Sequence, residues 1–460
     1  MPGISSKKYY DTIKAAVEDE HTQLKRDANL RHLMLREKSG YAQFRDLQMA
    51  KNKTSASKFK VLEELDRYLI RFEKHFTGNG GKVMWANDAA EAVVKIKNIL
   101  TTSEKGALYS SRKILDETGF FNSLKKKETV PLPGNTEENV AKIQEEKYSH
   151  QVWNVMDVSE EENHEKLREL FFPEEEVISA KALGRALRSN LIDEISEKDI
   201  LISEADLLAT DTGALVFYKN SGDEWLASAR VKKHIVIAGI DRLIPSLEDL
   251  DVILPLHASA SGSGEIHPVT DILTSPRKKG ELDGPEELIV ILVNNGRTDL
   301  LANKRTRKIL TCIHCGACQN HCPVYALAGV APYENSITGP YGVVTANTLS
   351  SEKPFDHLHY ATTLCGKCSD VCPVDINLHE MMVFNRREAI KNGRTDEDVK
   401  RFIKAYKFVT ASRRRMNLGP ASLKNMLLKN HIGNYWGGGR ALPKVAPKNF
   451  SQLFAEKHRS

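Results

Sequence analysis

All seven cysteines of this 460-residue chain lie between positions 312 and 372. Four sit in one run, "CIHCGACQNHCP", with the spacing Cys312-x2-Cys315-x2-Cys318-x3-Cys322-Pro323. A second run, "TTLCGKCSDVCPVD", repeats the pattern with three, Cys365, Cys368 and Cys372-Pro373. This is the spacing of two-cluster ferredoxins, in which the cysteine before proline ligates the other cluster. Thr362 stands where an eighth cysteine would be. The crossing rule gives one complete [4Fe–4S] set, Cys312, Cys315, Cys318 and Cys372. A second set holds Cys322, Cys365 and Cys368, with one iron lacking a thiolate from the pattern. Thr362, His357, His359, a partner's residue or water are candidates for that position, and a three-iron cluster is the remaining option. Gly316 suits the tight turn and the close approach of amides to sulfur. Structural zinc is the competing reading, but zinc sites use separate cysteine pairs rather than a four-cysteine run closed by Cys-Pro.

The rest of the chain carries no rival chemistry. Hydrophobic residues make up 41% and charged residues 28%, ordinary for a soluble domain protein. The densest apolar run, "LIVILV" at 288–293, is too short to span a bilayer. The start, "MPGISSKKYYDTIK", has no signal-peptide core. These features predict a cytoplasmic protein without a transmembrane segment, leaving room for peripheral membrane contact. Clustered cysteines in such a chain point to metal or redox chemistry, not disulfides. A net charge of +5 is too mild to argue for nucleic acid. The basic run "KRTRK" (304–308) reads as cations beside an anionic cluster.

"DTG" (211–213) lacks the second loop of an aspartic-protease dyad and reads as a strand turn. "HEMMV" (379–383) opens like a zinc-protease helix, but Val383 stands where the second histidine would be. "GSGEIH" (262–267) lacks the third glycine of a dinucleotide fingerprint and reads as a linker. No phosphate loop, flavin site or nicotinamide site is legible, and no catalytic residue is assigned.

Along the chain, the first ~55 residues read as charged helix whose leucines (24, 30, 33, 35) are too scattered for a strong core face. "KFKVLEELDRYLIRFEKHF" has helical apolar spacing and ends at "TGNGG". "KVMWA" reads as a strand, and "DAAEAVVKIKNIL" as a helix capped by Asp88. Residues 122–170 read as irregular, with a turn at "VPLPGN". From 199, "DILISEADLLATDTGALVFY", "KHIVIAGIDRLIP", "DVILPL" and "ELIVILV" read as strands buried on both faces, and "SASGSGE" (259–265) as a flexible loop. The expected domains are a helical region (1–69), an α/β domain (70–300), the cysteine module (301–395) and a basic helical extension (396–460) that loosens at "WGGGRALPKVAP".

This order of features resembles the lactate utilization protein B family of LUD-domain iron–sulfur proteins. The pieces that carry the resemblance are "LLATDTGALVF" (207–217), "ELDGPEELIVILVNNGR" (281–297), "CIHCGACQNHCPVY", "GPYGVV" (339–344), "LCGKCSDVCPV" (364–374) and "WGGGRALPKVAPKNFSQLF" (436–454). The family's second run also carries three cysteines. Residues 107–160 depart from the family pattern. The resemblance implies an α/β domain of the NagB/RpiA/CoA-transferase-like type, then an all-α two-cluster ferredoxin-like module. It implies two [4Fe–4S] clusters, the second with an incomplete cysteine set. It also implies one component of a multi-protein system oxidising lactate to pyruvate. The implied partners are a cysteine-rich iron–sulfur subunit and a smaller LUD-domain subunit, with no nucleic acid. Electron transfer is the leading expectation. A hydroxy-acid hydratase or lyase using an open cluster iron, and an oxygen-sensing regulatory protein, are the alternatives.

Overall fold

The run at 287–293 alternates between two apolar faces, and both are covered. In the computed structural model, Leu288, Val290 and Leu292 pack against Val61, Leu65, Tyr68, Phe72 and Phe76. Ile289, Ile291 and Val293 face the other way, onto Ala92, Ile96 and Ile99. Such two-sided burial is the environment of a parallel sheet with helices on both faces. The structure describes residues 6–110, 113–123, 129–131, 150, 152–153, 156–175, 177–219, 222–333, 337–349, 355–393, 397–436 and 441–458. The chain forms two units, 1–392 and 393–460.

The strands are β1 (Lys82–Ala86), β2 (Ala107–Tyr109), β3 (Thr129–Pro131), β4 (Ile200–Glu204), β5 (Leu207–Ala209), β6 (Ala214–Lys219), β7 (Lys233–Gly239), β8 (Leu243–Ile244), β9 (Val269–Leu273) and β10 (Glu287–Val293). One sheet has the order β1-β10-β7-β4-β2-β3, with every neighbouring pair parallel. A mixed sheet has the order β8-β5-β6-β9. Its β5–β6 turn is the "DTG" stretch. Asp211 is a turn anchor there, accepting from Ser246 Oγ at 2.7 Å and from Leu247 N at 3.0 Å. Gly213 has φ +70, and a Cβ on it would lie 2.5 Å from Phe76 N, so only glycine fits.

Residues 122–170, read as irregular, end in a helix, Glu160–Phe171, which Ser159 and Glu162 cap reciprocally. Three further expectations from the sequence are overturned. "DVILPL" is not a strand but the start of a helix, Leu250–Ser261, with Pro255 inside it. A proline has no N–H for a sheet ladder, and Ser246 and Asp249 cap the chain into helix reciprocally. Residues 259–263 are not an exposed flexible loop. They end this helix, with Ser259, Ser261 and Ser263 buried. A Cβ on Gly262 would lie 2.9 Å from Leu33 O, so small residues let this end pack on the N-terminal helix Glu20–Tyr41.

That helix supplies the third correction, because it has a core face after all. It buries Arg26, Leu30, Leu33, Glu37 and Gly40 while Leu24 and Leu35 are exposed. The face is helically spaced but partly charged, which hid it from an apolar count. Its charges are paired: Arg26 Nε with Asp157 at 2.6 Å and Glu37 with His321 Nε2 at 2.7 Å. The next helix, Leu47–Glu63, buries Lys58, whose ammonium donates to the carbonyls of Asp241 and Leu243.

From Arg297 to Lys391 the described elements are all helical, including Ala317–Asn320, Pro323–Ala328, Gly339–Leu349, Lys367–Asp370 and Leu378–Lys391. They share a core with Leu30, Leu33 and Leu62 of the N-terminal helices. The second unit holds helices Glu397–Thr410, Arg413–Met416, Ala421–Trp436 and Phe450–Lys457. Within it, Asn425 exchanges hydrogen bonds with the backbone of Val445 at 2.7 and 3.3 Å. Most of the "VPLPGN" turn, residues 437–440 and much of 107–160 lie outside the described residues.

Candidate iron–sulfur site

The two cysteine runs fold as copies of one loop. His314 and Leu364, each just before the second cysteine position, have φ of 57 and 55. Gly316 and Gly366, just after it, have φ of 75 and 82. Each glycine opens a single helical turn, Ala317–Asn320 or Lys367–Asp370. A Cβ on Gly316 would lie 2.9 Å from the ring of His150, which is buried against this loop. The left-handed residues turn the backbone so that amides face sulfur. His314 N donates to Cys312 Sγ at 3.3 Å, and Ile376 N to Cys372 Sγ at 3.4 Å. Backbone N–H groups of Ala317 reach Cys315, those of Tyr325 and Val324 reach Cys322, and that of Lys367 reaches Cys365. The Tyr333 side chain also favours the Cys322 thiolate. In the second loop Leu364 N donates to Thr362 Oγ1 at 3.0 Å, so that oxygen takes the place of the Cys312 sulfur.

Seven thiols are distributed over two cavities. The first is lined by Cys312, Cys315, Cys318 and Cys372, with Ile309, Ile313, Tyr341, Val374 and Ile376 in its wall. The second is lined by Cys322, Cys365 and Cys368, together with Thr362 and His379. Cys322 thus leaves its own run for the second cavity, and Cys372 does the reverse. His357 and His359 do not line the second cavity; His359 Nε2 lies 3.0 Å from Asn347 Nδ2. His379 does line it, and its sequence context advertised only a failed zinc motif. Cys365 is exposed, whereas the first cavity is walled by apolar side chains.

Burial pushes the Cys312 thiol up to about 12, with Cys372 adding to the effect. Cys315 and Cys318 are raised well above the usual thiol range for the same reason. Cys365 is shifted down, chiefly by the Lys367 N–H. Loading iron on the first set must therefore displace protons from buried thiols. The residues fit a polynuclear iron–sulfur group: thiols set around a volume, amides aimed at the sulfurs and a largely apolar wall. Zinc holds its ligands within about 2.3 Å of one point. Among the described residues no three Cys, His, Asp or Glu side chains are grouped to hold a single ion.

Behind the first cavity lies a buried charge network at the carboxyl ends of the parallel strands, where open α/β sheets build their sites. Arg297, after β10, bonds Glu117 through both terminal nitrogens at 2.7 and 2.9 Å and Asp241 through Nε. Arg242, after β7, bonds Glu204 at the end of β4 at 2.8 Å. A Cβ on Gly239 would collide with both Asp241 and Arg297, so the pair occupies that space. His314 Nε2, from the first cysteine loop, is 3.8 Å from Asp241 Oδ2, too long for a hydrogen bond. Burial, reinforced by Arg242, pushes His314 down to about 4, so it is neutral near pH 7. Of the "KRTRK" cations, Lys308 pairs with Asp375 at 3.0 Å, beside the second cysteine run.

A parallel α/β domain carrying this thiol-lined helical module defines an iron–sulfur protein. Residues 69–293 match the LUD domain and residues 308–376 the 4Fe-4S dicluster domain. The chain belongs to the lactate utilization protein B family. It is 30% identical to lactate utilization protein B of Lysinibacillus sphaericus over 75% of this chain and 73% of that one. It is likewise 30% identical to the Bacillus licheniformis protein of that name over 79% and 77%. It is 28% identical to an uncharacterized electron transport protein of Escherichia coli over 76% and 74%. No helix among the described residues is long and apolar enough to cross a membrane.

Proposed function

We propose that this chain is the electron-transfer component of a multi-protein complex that oxidises lactate to pyruvate. The observation that carries the reading is the interlacing of two thiol-lined cavities in one small module. The names of the relatives, lactate utilization protein B and electron transport protein, support it. Cys312, Cys315, Cys318 and Cys372 would hold the first [4Fe–4S] cluster, and Cys322, Cys365 and Cys368 three irons of the second. When bound, such clusters supply one-electron transfer at potentials set by hydrogen bonds, charge and solvent exposure.

The chain's own residues divide the work. Ile309, Ile313, Tyr341 and Val374 exclude water from the first site. The N–H groups of His314 and Ile376 hold negative charge at sulfur. The exposed Cys365 edge gives the second site its contact with a partner. The α/β domain would be of the NagB/RpiA/CoA-transferase-like type, and the module ferredoxin-like. Partners would be a cysteine-rich iron–sulfur subunit and a smaller LUD-domain subunit, in the cytoplasm. Domain limits at 70–300 and 301–395 suit this division.

Lactate gives up two electrons, and the chain shows no flavin or nicotinamide motif to take them as a pair. The isolated chain, purified anaerobically, should give no lactate-dependent reduction of a redox dye. Dithionite should reduce it reversibly with about two electrons per chain, one per cluster. Robust lactate-to-dye turnover by the chain alone would overturn the electron-carrier reading.

A further inference from the structure

The second cavity has one thiol fewer than the first, and two side chains on its wall offer a replacement. Thr362 Oγ1 occupies the position of the missing sulfur, but it is a neutral hydroxyl already accepting the Leu364 N–H. His379, at the start of the helix Leu378–Lys391, offers an imidazole.

Ser369, the residue after Cys368, fixes that ring. Its Oγ lies 2.8 Å from His379 Nδ1 and accepts the His379 backbone N–H at 3.2 Å. A serine hydroxyl has one proton and two lone pairs. The proton is free to turn toward the neighbouring Cys368 sulfur, where it favours the thiolate. One lone pair takes the backbone N–H. With the hydroxyl proton so turned, the other accepts from Nδ1–H, which leaves Nε2 as the basic nitrogen. This is the tautomer a metal-binding histidine adopts when its second nitrogen donates to an oxygen.

We propose that His379 Nε2 is the fourth ligand of the second cluster, completing the set of Cys322, Cys365 and Cys368. The assignment rests on the reading of that cavity as a cluster site. Imidazole nitrogen is an established alternative to thiolate at iron–sulfur centres, where it raises the potential. The bond forms from the Nε2 lone pair to iron. No proton is released, because the ring's only proton stays on Nδ1 against Ser369. Ser369 thereby links two ligands, standing next to Cys368 in the chain and bonding His379 through Oγ.

Pulsed EPR on the reduced full chain, labelled with 15N-histidine and compared with unlabelled protein, reads this directly. Iron and sulfide are counted on the same samples. The expected result is a histidine nitrogen coupling on the second cluster in wild type. It is retained in Thr362→Ala and lost in His379→Ala, which should also lose about one iron of that cluster. His379→Cys should keep the full iron content without the nitrogen coupling. Full iron and sulfide in wild type with no histidine coupling would overturn the ligand assignment and leave the cluster reading standing. Coupling that persists in His379→Ala would also overturn it. Protein lacking sulfide, or holding zinc, would overturn the underlying reading. The loss of coupling in His379→Cys decides the matter even if His379→Ala fails to fold.

Discussion

Replacing Cys372 by Ser is expected to destroy the same cluster as replacing Cys315, although the two lie in different cysteine runs. Both thiols line the first cavity, where Val374 and Ile376 from the second run pack beside Ile313 from the first. Cys322→Ser should instead match Cys365→Ser, because those thiols line the second cavity. Each variant should lose up to about half of the bound iron, with the other cluster's EPR signal preserved. The second cluster should also be the more labile. Cys365 is exposed, and its cavity offers three thiols where the first offers four. Thiolate ligation in a shielded wall holds iron better than a neutral ligand at an open edge. Mild oxidation should drive the second cluster toward a three-iron form while the first persists. EPR of the four variants, reduced and mildly oxidised, checks both statements. Pairing of Cys372 with Cys365, or decay of both clusters at one rate, would contradict them.

Arg297→Met should be the most damaging change away from the cysteines. Arg297 neutralises Glu117 and Asp241 at once, and all three side chains are buried. Removing one partner of a buried pair costs about 3–5 kcal/mol, because the other charge remains in low dielectric. The triple change Arg297→Met, Asp241→Asn, Glu117→Gln should recover much of the loss, since it removes the stranded charges as well. Denaturant midpoints of the anaerobic loaded protein measure this. The pH dependence has a definite sign. Burial alone would raise the Asp241 carboxyl, but Arg297, with His314 and Arg242, holds it well below the usual carboxylate range. A depressed carboxylate contributes stability that is present above its unfolded value of about 3.9 and lost as pH falls through the folded value. In Arg297→Met that acid-side loss should be smaller, because burial is then opposed by less positive charge and the folded value moves toward or above the unfolded one.

How much of this was readable in advance depends on what kind of signal each element gives. The strands β7 and β10 were legible because two-sided burial writes an unbroken apolar run. The same rule misread "DVILPL", where an apolar run with Pro255 belongs to a helix set by a cap at Ser246. The N-terminal helices were underestimated because their buried faces carry Arg26, Glu37 and Lys58, whose partners lie far along the chain. The cysteines were legible because cluster ligation fixes spacing locally, and Thr362 was legible by alignment of the two runs. His379 was not. Its place on the cavity depends on how the helix Leu378–Lys391 docks, and on a serine that fixes its ring. The Arg297 network was equally silent, since Glu117, Asp241 and Arg297 meet only where separate strands end together.

Seven thiols in one module are proposed to hold two iron–sulfur clusters. Iron and acid-labile sulfide, counted per chain on protein purified and kept without oxygen, test this most directly. The predicted result is about eight irons and about eight sulfides per chain. About four of each, or stoichiometric zinc without sulfide, would contradict it.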